Sequence, residues 1–229
     1  MRDTYTSALI VGAGSGLSAS LARLFAKNGM RVALAARATD KLATLAQETK
    51  ASLHACDATD RAQVDKLFAA LDPAPDVVVY NASYRTRGPF TELDPTEVAK
   101  AIEVSAFGGF LVAQAAAKRM LPKRRGAILF TGASASVKGY PQSASFAMGK
   151  FALRGLAQSL ARELSPQGIH VAHFVIDGGI ASARRPPSPD NPDALLDPDA
   201  IAQNYWHVLQ QPRSAWSWEI ELRPWVEKF

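Results

Sequence analysis

The stretch ALIVGAGSGLS (residues 8–18) decides the fold of this chain. An apolar run of strand length ends at Gly12, and apolar residues with helical spacing follow from Leu17. Glycines at positions 12, 14 and 16 allow a tight turn and a close approach of other backbone just before the helix begins. A turn of this kind can hold a pyrophosphate through the backbone N–H groups of a helix N-terminus. The predicted nucleotide-binding residues are Gly12, Gly14, Ser15, Gly16 and Leu17.

The glycine turn alone does not separate a ligand site from an ordinary strand-to-helix connection. The common G-x-G-x-x-G pattern fails because its third glycine would fall at Leu17, and the pattern that matches is G-x-x-x-G from Gly12 to Gly16. Nucleotide binding is favoured because the turn lies in the first βαβ unit of an alternating chain.

The rest of the chain continues this alternation of short apolar runs and helical patterns. Six strands are predicted at 8–12, 31–36, 52–57, 76–83, 126–134 and 169–179, and a last one lies within 216–222. Helices are predicted at 17–29, 40–50, 60–71, 95–121, 143–164 and 198–210. This order predicts an α/β protein, with a doubly wound parallel sheet (Rossmann fold), as a single domain over residues 1–229. Its ligand is expected at the C-terminal ends of the strands.

Composition narrows the classes of protein to which the chain can belong. Hydrophobic residues make up 48% of the 229 residues and charged residues 21%, as in a globular protein with a substantial core. No unbroken apolar run reaches the ~20 residues of a membrane span, and residues 1–7 do not resemble a secretory signal. The single cysteine, Cys56, favours a reducing compartment. We therefore expect a cytoplasmic protein with no membrane partner.

The net charge of +5 has two interpretations. It is concentrated in a cluster that comprises Lys118, Arg119, Lys123, Arg124 and Arg125. The cluster could bind nucleic acid, or it could be a solvated helix C-terminus where cations complement the macrodipole. No aromatic residues interleave with the charges, so we expect no nucleic-acid partner.

The end of the second predicted strand bears on the choice of cofactor. An NAD site usually has an acidic residue there for the ribose 2′-hydroxyl, whereas this chain has Ala36 followed by Arg37. An arginine at this place pairs with a 2′-phosphate, although it could also be a solvated residue that begins a loop. The sequence favours NADP(H), with NAD(H) possible.

Five motifs in register resemble the short-chain dehydrogenase/reductase family. They are the turn Gly12–Gly16, Asp57 after the third strand, Asn81-Ala82-Ser83 after the fourth, Lys150, and IDGGIAS at 176–182. The resemblance implies that Asp57 lies on the adenine side and that Asn81 and Ala82 close the fourth strand. It also implies that Lys150 holds the nicotinamide ribose and that Ile180 and Ser182 lie near the carboxamide. Family members pair through the helices that correspond to 95–121 and 143–164, so a homodimer or homotetramer is expected.

The catalytic positions depart from the family pattern of Asn, Ser, Tyr and Lys, in which the tyrosine is the acid and base. Phe146 occupies the tyrosine position and Ser105 the asparagine position. The serine position falls at Ala133, with Ser134 next to it. The catalytic set carried over is therefore Lys150, Phe146, Ser134 and Ser105.

Phenylalanine has no proton to give to an oxygen that gains charge on hydride transfer, so another donor is needed. The candidates are Tyr84, Tyr140, Ser134, Ser136 and Asp177. Two functions remain open. One is an NADP(H)-dependent oxidoreductase with an altered acid, acting on a small molecule such as an imine or an activated double bond. The other is a catalytically weak or inactive NAD(P)(H)-binding protein that acts as a sensor or subunit.

Two further possibilities find no support in the sequence. There is no Cys/His cluster for a metal and no Ser-His-Asp spacing for hydrolysis. Residues 181–199 carry five prolines and are predicted to form a surface loop on the substrate side of the site.

Overall fold

The computed structural model describes residues 4–227. Within them, seven parallel strands form one sheet in the order β3-β2-β1-β4-β5-β6-β7. The strands are β1 Ser7–Val11, β2 Arg31–Ala36, β3 Ser52–Ala55, β4 Val77–Tyr80, β5 Gly126–Thr131, β6 Ile169–Ile176 and β7 Glu219–Leu222. The predicted doubly wound parallel sheet is confirmed. Four central strands (β1, β4, β5 and β6) are buried throughout, as expected for a parallel sheet that is covered on both faces.

Helices cover both faces of the sheet. The helices are α1 Leu17–Lys27, α2 Ala43–Thr49, α3 Arg61–Ala70, α4 Pro95–Ile102, α5 Gly108–Met120, α6 Ala144–Leu164 and α7 Pro198–Leu209. One core lies between the sheet and α1, α2 and α7, and contains Phe25 and Tyr205. The other lies between the sheet and α3, α5 and α6, and contains Phe68 and Leu153. Alternate residues of β1, β2, β4, β5 and β6 face the two cores, because side chains alternate along an extended chain.

The order of the strands reverses between β1 and β4. Chain connections leave this point in opposite directions, which opens a crevice at the C-terminal edge of the sheet. Several predicted strands were too long at this edge: the chain leaves the sheet after Tyr80, Thr131 and Ile176. The first residue beyond each end still donates its N–H to the neighbouring strand, and the residues after it form loops around the crevice.

The helix predicted at 95–121 is interrupted by a π-helical turn, Glu103–Phe107, between α4 and α5. The cause lies in β4, where the Tyr80 hydroxyl donates a hydrogen bond to the Val104 carbonyl at 2.5 Å. A Cβ added at Gly108 would lie 2.4 Å from the same hydroxyl, so the tyrosine reaches the helix only at this glycine. An inserted side chain that takes a helical carbonyl is a common cause of such a turn.

The segment Pro95–Lys123, which spans α4, the π turn and α5, is long and apolar enough by length and composition to cross a membrane. Buried helices of globular proteins can be equally long and apolar. Here 44% of the apolar window is buried, and the segment packs on the sheet and on α6. We therefore describe it as a core helix of this domain.

The basic cluster near the end of α5 is used largely within the fold. The Arg119 guanidinium lies over the Phe68 ring and donates to the Ala115 carbonyl. Arg125 pairs with Asp76, and Arg124 donates to the Pro166 carbonyl. Three of the five residues therefore make contacts within the fold, where the sequence predicted a solvated helix C-terminus.

Candidate functional site

Three cavities lie side by side along the C-terminal edge of the sheet. The Arg37 cavity, of about 370 Å³, also contains Asp57 in its wall. The Ser15 cavity measures about 450 Å³, and the Lys150 cavity about 280 Å³. Ala13 is common to the first two, and Asn81 lines both the Arg37 and the Lys150 cavities. The three therefore form one continuous groove, which we call the edge groove.

The glycine turn forms the floor of this groove. Gly12 has φ +79°, and a Cβ there would lie 2.3 Å from the Ala82 nitrogen, so the close contact between the two loops requires glycine. Around Gly14 and Gly16, by contrast, an added Cβ would meet no heavy atom within 4 Å. These two glycines leave open space in front of the α1 N-terminus.

Helix α1 begins without a side-chain cap and has no acidic residue in its first turn. Helices α3, α4 and α7 are each capped by an aspartate, namely Asp60, Asp94 and Asp197. The N–H groups at the start of α1 thus lack the side-chain acceptor that those three helices have, and they lie beside the open space. An anion fits this end of the helix, where the macrodipole is positive. Leu17 contributes only backbone here, because its side chain packs into the core.

Asn81 holds the glycine turn in place. Its Nδ2 donates to the Ser18 hydroxyl at 2.8 Å, and that hydroxyl donates to the Gly12 carbonyl at 3.3 Å. The Asn81 backbone N–H also donates to the Val11 carbonyl at 2.8 Å. The end of β4 is therefore tied to the turn across the switch point of the sheet.

Three cationic side chains stand along the outer half of the groove. Arg37 lines the Arg37 cavity, while Lys41 and Arg184 line the Ser15 cavity together with Ser182. All three cations are exposed. The one carboxylate of the Arg37 cavity, Asp57, accepts bonds from the Thr59 N–H and hydroxyl at 3.0 and 2.8 Å. Lys41 and Arg184 were not singled out in the sequence, which has no motif for them.

The Lys150 cavity is the innermost part of the groove. Lys150 is buried, and its Nζ donates to the Thr131 carbonyl at 2.8 Å. Burial lowers the pKa of this lysine from its ordinary 10.5 to about 8, so it is still mostly protonated at pH 7. The wall also contains Phe146, Ser134 and Ile180. These three were predicted for the site, and the fold brings them together with Lys150.

Phe146 is in contact with two cations. Its ring centroid lies 4.9 Å from the Arg85 Cζ and 5.8 Å from the Lys150 Nζ. Arg85 lines the same cavity and was not predicted. Its only signal in the sequence is its position, four residues after Asn81 on the loop that follows β4.

Comparison with known proteins identifies this architecture. The family model described as short chain dehydrogenase matches residues 6–189. The chain belongs to the short-chain dehydrogenase family. A short-chain dehydrogenase structure from Rhodopseudomonas palustris is similar to it, with a TM-score of 0.84 and 33% identity over 97% of this chain and 100% of that one. Membership places the chain among the NAD(P)-dependent oxidoreductases.

Two other relatives cover nearly the whole chain. An uncharacterized oxidoreductase of Staphylococcus aureus is 27% identical over 95% of this chain and 96% of its own length. A metagenomic short-chain oxidoreductase solved in complex with NADP has a TM-score of 0.83 and 27% identity, with 96% of this chain and 97% of that one covered.

The groove fits the dinucleotide of this family. The uncapped α1 N-terminus and the open space at Gly14 and Gly16 suit a pyrophosphate. When bound, such a dinucleotide supplies the hydride for reduction or accepts it in oxidation.

Ser105, expected at the family's asparagine position, does not line the cavity. It lies in the π turn, is fully buried, and packs against Gly149 of α6, where a Cβ would lie 2.9 Å from the Ser105 Cβ. Its hydroxyl has no hydrogen-bond partner among the described residues. The expectation that Ser105 joins the reacting groups is therefore not met by this geometry.

Asp177 was considered as a general acid, and the structure contradicts this. Burial opposes its ionisation, but hydrogen bonds from Lys138 and Ser134 and the Arg223 charge outweigh burial and lower the pKa of its carboxyl. The Lys138 Nζ lies 2.8 Å from Asp177 Oδ2. A carboxylate held ionised cannot donate a proton, and the Ser134 hydroxyl helps to keep it ionised.

The other candidate donors differ in where their hydroxyl groups point and in whether they line the Lys150 cavity. The Tyr84 hydroxyl donates to Glu97 of α4, and the Ser136 hydroxyl accepts the Ala133 N–H at 3.1 Å. Neither residue lines the Lys150 cavity. Tyr140 does line it, on the loop before α6. Of the candidates from the sequence, Tyr140 is thus the phenol that the fold brings to Lys150 and Phe146.

Proposed function

We propose that this protein is an NADP(H)-dependent oxidoreductase that reduces a small carbonyl or imine compound, with Tyr140 in place of the missing tyrosine acid. The observation that carries the proposal is the Lys150 cavity itself. It joins a buried lysine, a phenol and the Phe146 ring at the inner end of a groove that suits a dinucleotide. The single buried thiol, Cys56, agrees with the cytoplasmic location we expect.

Each residue of the cavity has a defined task in this proposal. Lys150 keeps a positive charge close to Thr131, where it stabilises negative charge that develops on the substrate oxygen. Tyr140 lies at the rim and donates a proton to that oxygen. Ile180 supplies an apolar wall. Phe146 excludes water from the space beside it.

The proposed preference for NADP(H) rests on Arg37 and is supported by Lys41 in the adjoining cavity. No carboxylate directly follows β2, where Arg37 and Ala38 come next, and a relative of similar fold was solved with NADP. We expect tighter binding of NADPH than of NADH. Arg37→Ala should weaken the binding of NADPH by ~1.5–3 kcal/mol, the value of a charge-assisted hydrogen bond. The binding of NADH should stay nearly unchanged.

Fluorescence titration of both cofactors measures this difference. Arg31→Ala, an exposed arginine at the opposite end of β2, is the matched control and should change neither affinity. Equal affinity of the unmutated protein for the two cofactors would rule out the assignment.

The proton donor is tested by turnover. NADPH consumption is followed against a panel of ketones, imines and enones, and the best substrate is compared with the Tyr140→Phe variant. We expect kcat to fall by about 10²-fold or more, since general acid catalysis typically contributes that much. Tyr140 is 46% exposed, so thermal stability and NADPH binding should not change. An unchanged kcat would show that Tyr140 is not the acid.

One observation favours a second function. Phe146 replaces the acid of the family and is held between two cations, as in a protein that binds the cofactor without using it. Such a protein would be a sensor or subunit. Tight NADPH binding with no turnover of any compound in the panel would support this function and contradict the first.

A further inference from the structure

The charged side chains that line the Lys150 cavity are all positive. Among its fifteen lining residues the only charged side chains are Lys150 at the inner end and Arg85, and no carboxylate is among them. Asp177 directly follows the lining residue Ile176, and its carboxylate forms ion pairs with Lys138 and Arg223. A small molecule that enters the cavity therefore meets two cationic side chains and no carboxylate among the lining residues.

Arg85 forms no ion pair with any carboxylate in residues 4–227. Partial desolvation of the guanidinium, and then the charge of the neighbouring Arg87, lower the pKa of Arg85, although the residue is exposed overall. An anion beside Arg85 would offset both effects, because an opposite charge favours the charged form of a guanidinium.

The loop that carries Arg85 is fixed on both sides of it. The Tyr84 hydroxyl bonds to Glu97, and the Lys100 ammonium lies 4.5 Å from the Tyr84 ring centroid. On the other side, the Ser145 hydroxyl of α6 donates to the Thr86 carbonyl at 2.8 Å. Arg85 therefore sits in an anchored segment, which reduces the entropy lost when it orders on a ligand.

Phe146 completes this arrangement. A guanidinium that stacks on a ring is held by its flat face, and its N–H donors remain available at the edges. The Cζ of Arg85, 4.9 Å from the Phe146 centroid, is within the range of such a contact. The phenylalanine that cannot donate a proton can thus serve as a platform for Arg85.

We propose that Arg85, supported by the Phe146 ring, binds a carboxylate of the substrate, so that the enzyme acts on small oxo acids in preference to neutral ketones. This inference rests on the proposed function, and it names the substrate class of the same site. Arg85 is the specificity residue, and Phe146 positions it. Arg85 and Arg87 are both exposed, but Arg87 lies outside the cavity wall and contributes only to the local potential.

The test uses three oxo acids, pyruvate, acetoacetate and levulinate, each against its methyl ester, which removes the charge and keeps the ketone. NADPH consumption gives kcat and KM for each compound. For at least one pair we expect kcat/KM to favour the acid by about 10-fold or more, as for a bidentate charge-assisted contact. Arg85→Ala should remove this preference, mainly through a rise in KM for the acid that is several times larger than any change for the ester. Arg87→Ala is the matched control. It should change kcat/KM for the acid by about 3-fold or less, and this change should depend on salt concentration.

Calorimetric titration of the same acids into the protein, with and without NADP⁺, gives a second measurement that does not need turnover. Binding of an acid that Arg85→Ala abolishes, without any NADPH consumption, would support the carboxylate site and reject the proposed reductase. Turnover of esters as good as that of all three acids, or equal losses for acid and ester in Arg85→Ala, would overturn the inference and leave the reductase intact. Absence of both acid binding and acid turnover overturns it as well.

Discussion

Phe146→Tyr adds a single oxygen to a ring that already borders the Lys150 cavity. The ring is only partly buried, and a tyrosine stacks on Arg85 as well as a phenylalanine does, so folding and NADPH binding should stay nearly unchanged. Ordinary ketone reduction should rise by about 10-fold or more, because a phenol one helical turn from Lys150 is a competent acid. Ser105 and Ala133 limit the gain. Steady-state kinetics with a neutral ketone measures it.

A variant that combines Tyr140→Phe with Phe146→Tyr tests whether the new phenol can replace the original donor. In the Tyr140→Phe background, Phe146→Tyr should restore much of the lost kcat, whereas Phe90→Tyr, on an 82% exposed ring elsewhere, should not. A loss of thermal stability or of NADPH binding in Phe146→Tyr would instead mean that the ring is packed as a core residue.

Lys150 makes stability depend on pH. Its pKa is about 8 in the folded protein, against 10.5 ordinarily, because it is buried. Between pH 8 and 10.5 the unfolded chain binds a proton that the folded protein has released, so this residue's contribution to the free energy of unfolding rises with pH. Its full span is ~3 kcal/mol. In the cofactor-free protein, the stability difference between Lys150→Met and the unmutated chain should shift by about this amount across the window.

Denaturant unfolding at intervals from pH 7.5 to 10.5 provides the measurement. The exposed Lys66, replaced by methionine, is the control and should leave the pH dependence of the unmutated protein in place. A stability difference for Lys150→Met that is constant over this range would contradict the buried-ammonium assignment.

At the scale of the element, a substitution in the turn before α1 should affect cofactor binding without affecting stability. An added Cβ at Gly14 meets no protein atom within 4 Å, so Gly14→Ala should leave the unfolding temperature almost unchanged. The methyl group would occupy the space proposed for the pyrophosphate. We expect NADPH affinity to fall by about 10-fold or more, which corresponds to ~1.4 kcal/mol.

Gly155 in α6 is the matched control, because a Cβ there also meets nothing within 4 Å. Gly155→Ala should stabilise the helix by ~0.5–1 kcal/mol and leave cofactor binding alone. Equal NADPH affinity in Gly14→Ala and the unmutated protein would show that the dinucleotide does not cross this turn.

At the scale of the whole molecule, an apolar surface on α5, α6 and the π turn favours a homodimer or tetramer. Phe107 and Phe110 stack on each other with centroids 6.2 Å apart, and with Met148 and Phe151 they are 40–51% exposed. Contact with a second copy would cover these side chains. We expect light scattering at micromolar concentration to show an oligomer, and Phe110→Asp with Phe151→Asp to convert it to a monomer.

Phe90→Asp is the control for this surface, since Phe90 is exposed but lies before α4. It should leave the oligomer intact. A monomeric unmutated protein, or an oligomer that survives the double replacement, would refute the assignment of this face.

The sequence by itself determined the sheet, and it predicted a site at the C-terminal ends of the strands. Apolar runs such as VVVY at 77–80 and the helical spacing from Leu17 are local patterns, so they specify strands and helices without knowledge of the partner segments. Gly12 could also be identified locally, because its φ of +79° is a conformation that glycine adopts freely. Strand ends were less certain, since leaving the ladder depends on which neighbour the strand pairs with.

The tertiary structure alone decided the partners of the polar side chains. Tyr84 turned to Glu97, 13 residues away, and Asp177 was held by Lys138, 39 residues away. Arg85 came to lie on Phe146 from another loop. A side chain can bond in several directions, and the choice depends on which long-range neighbours folding places within about 3 Å. For that reason the sequence named Tyr140 only as one of several candidate donors and did not indicate Arg85, although the proposed chemistry depends on both residues.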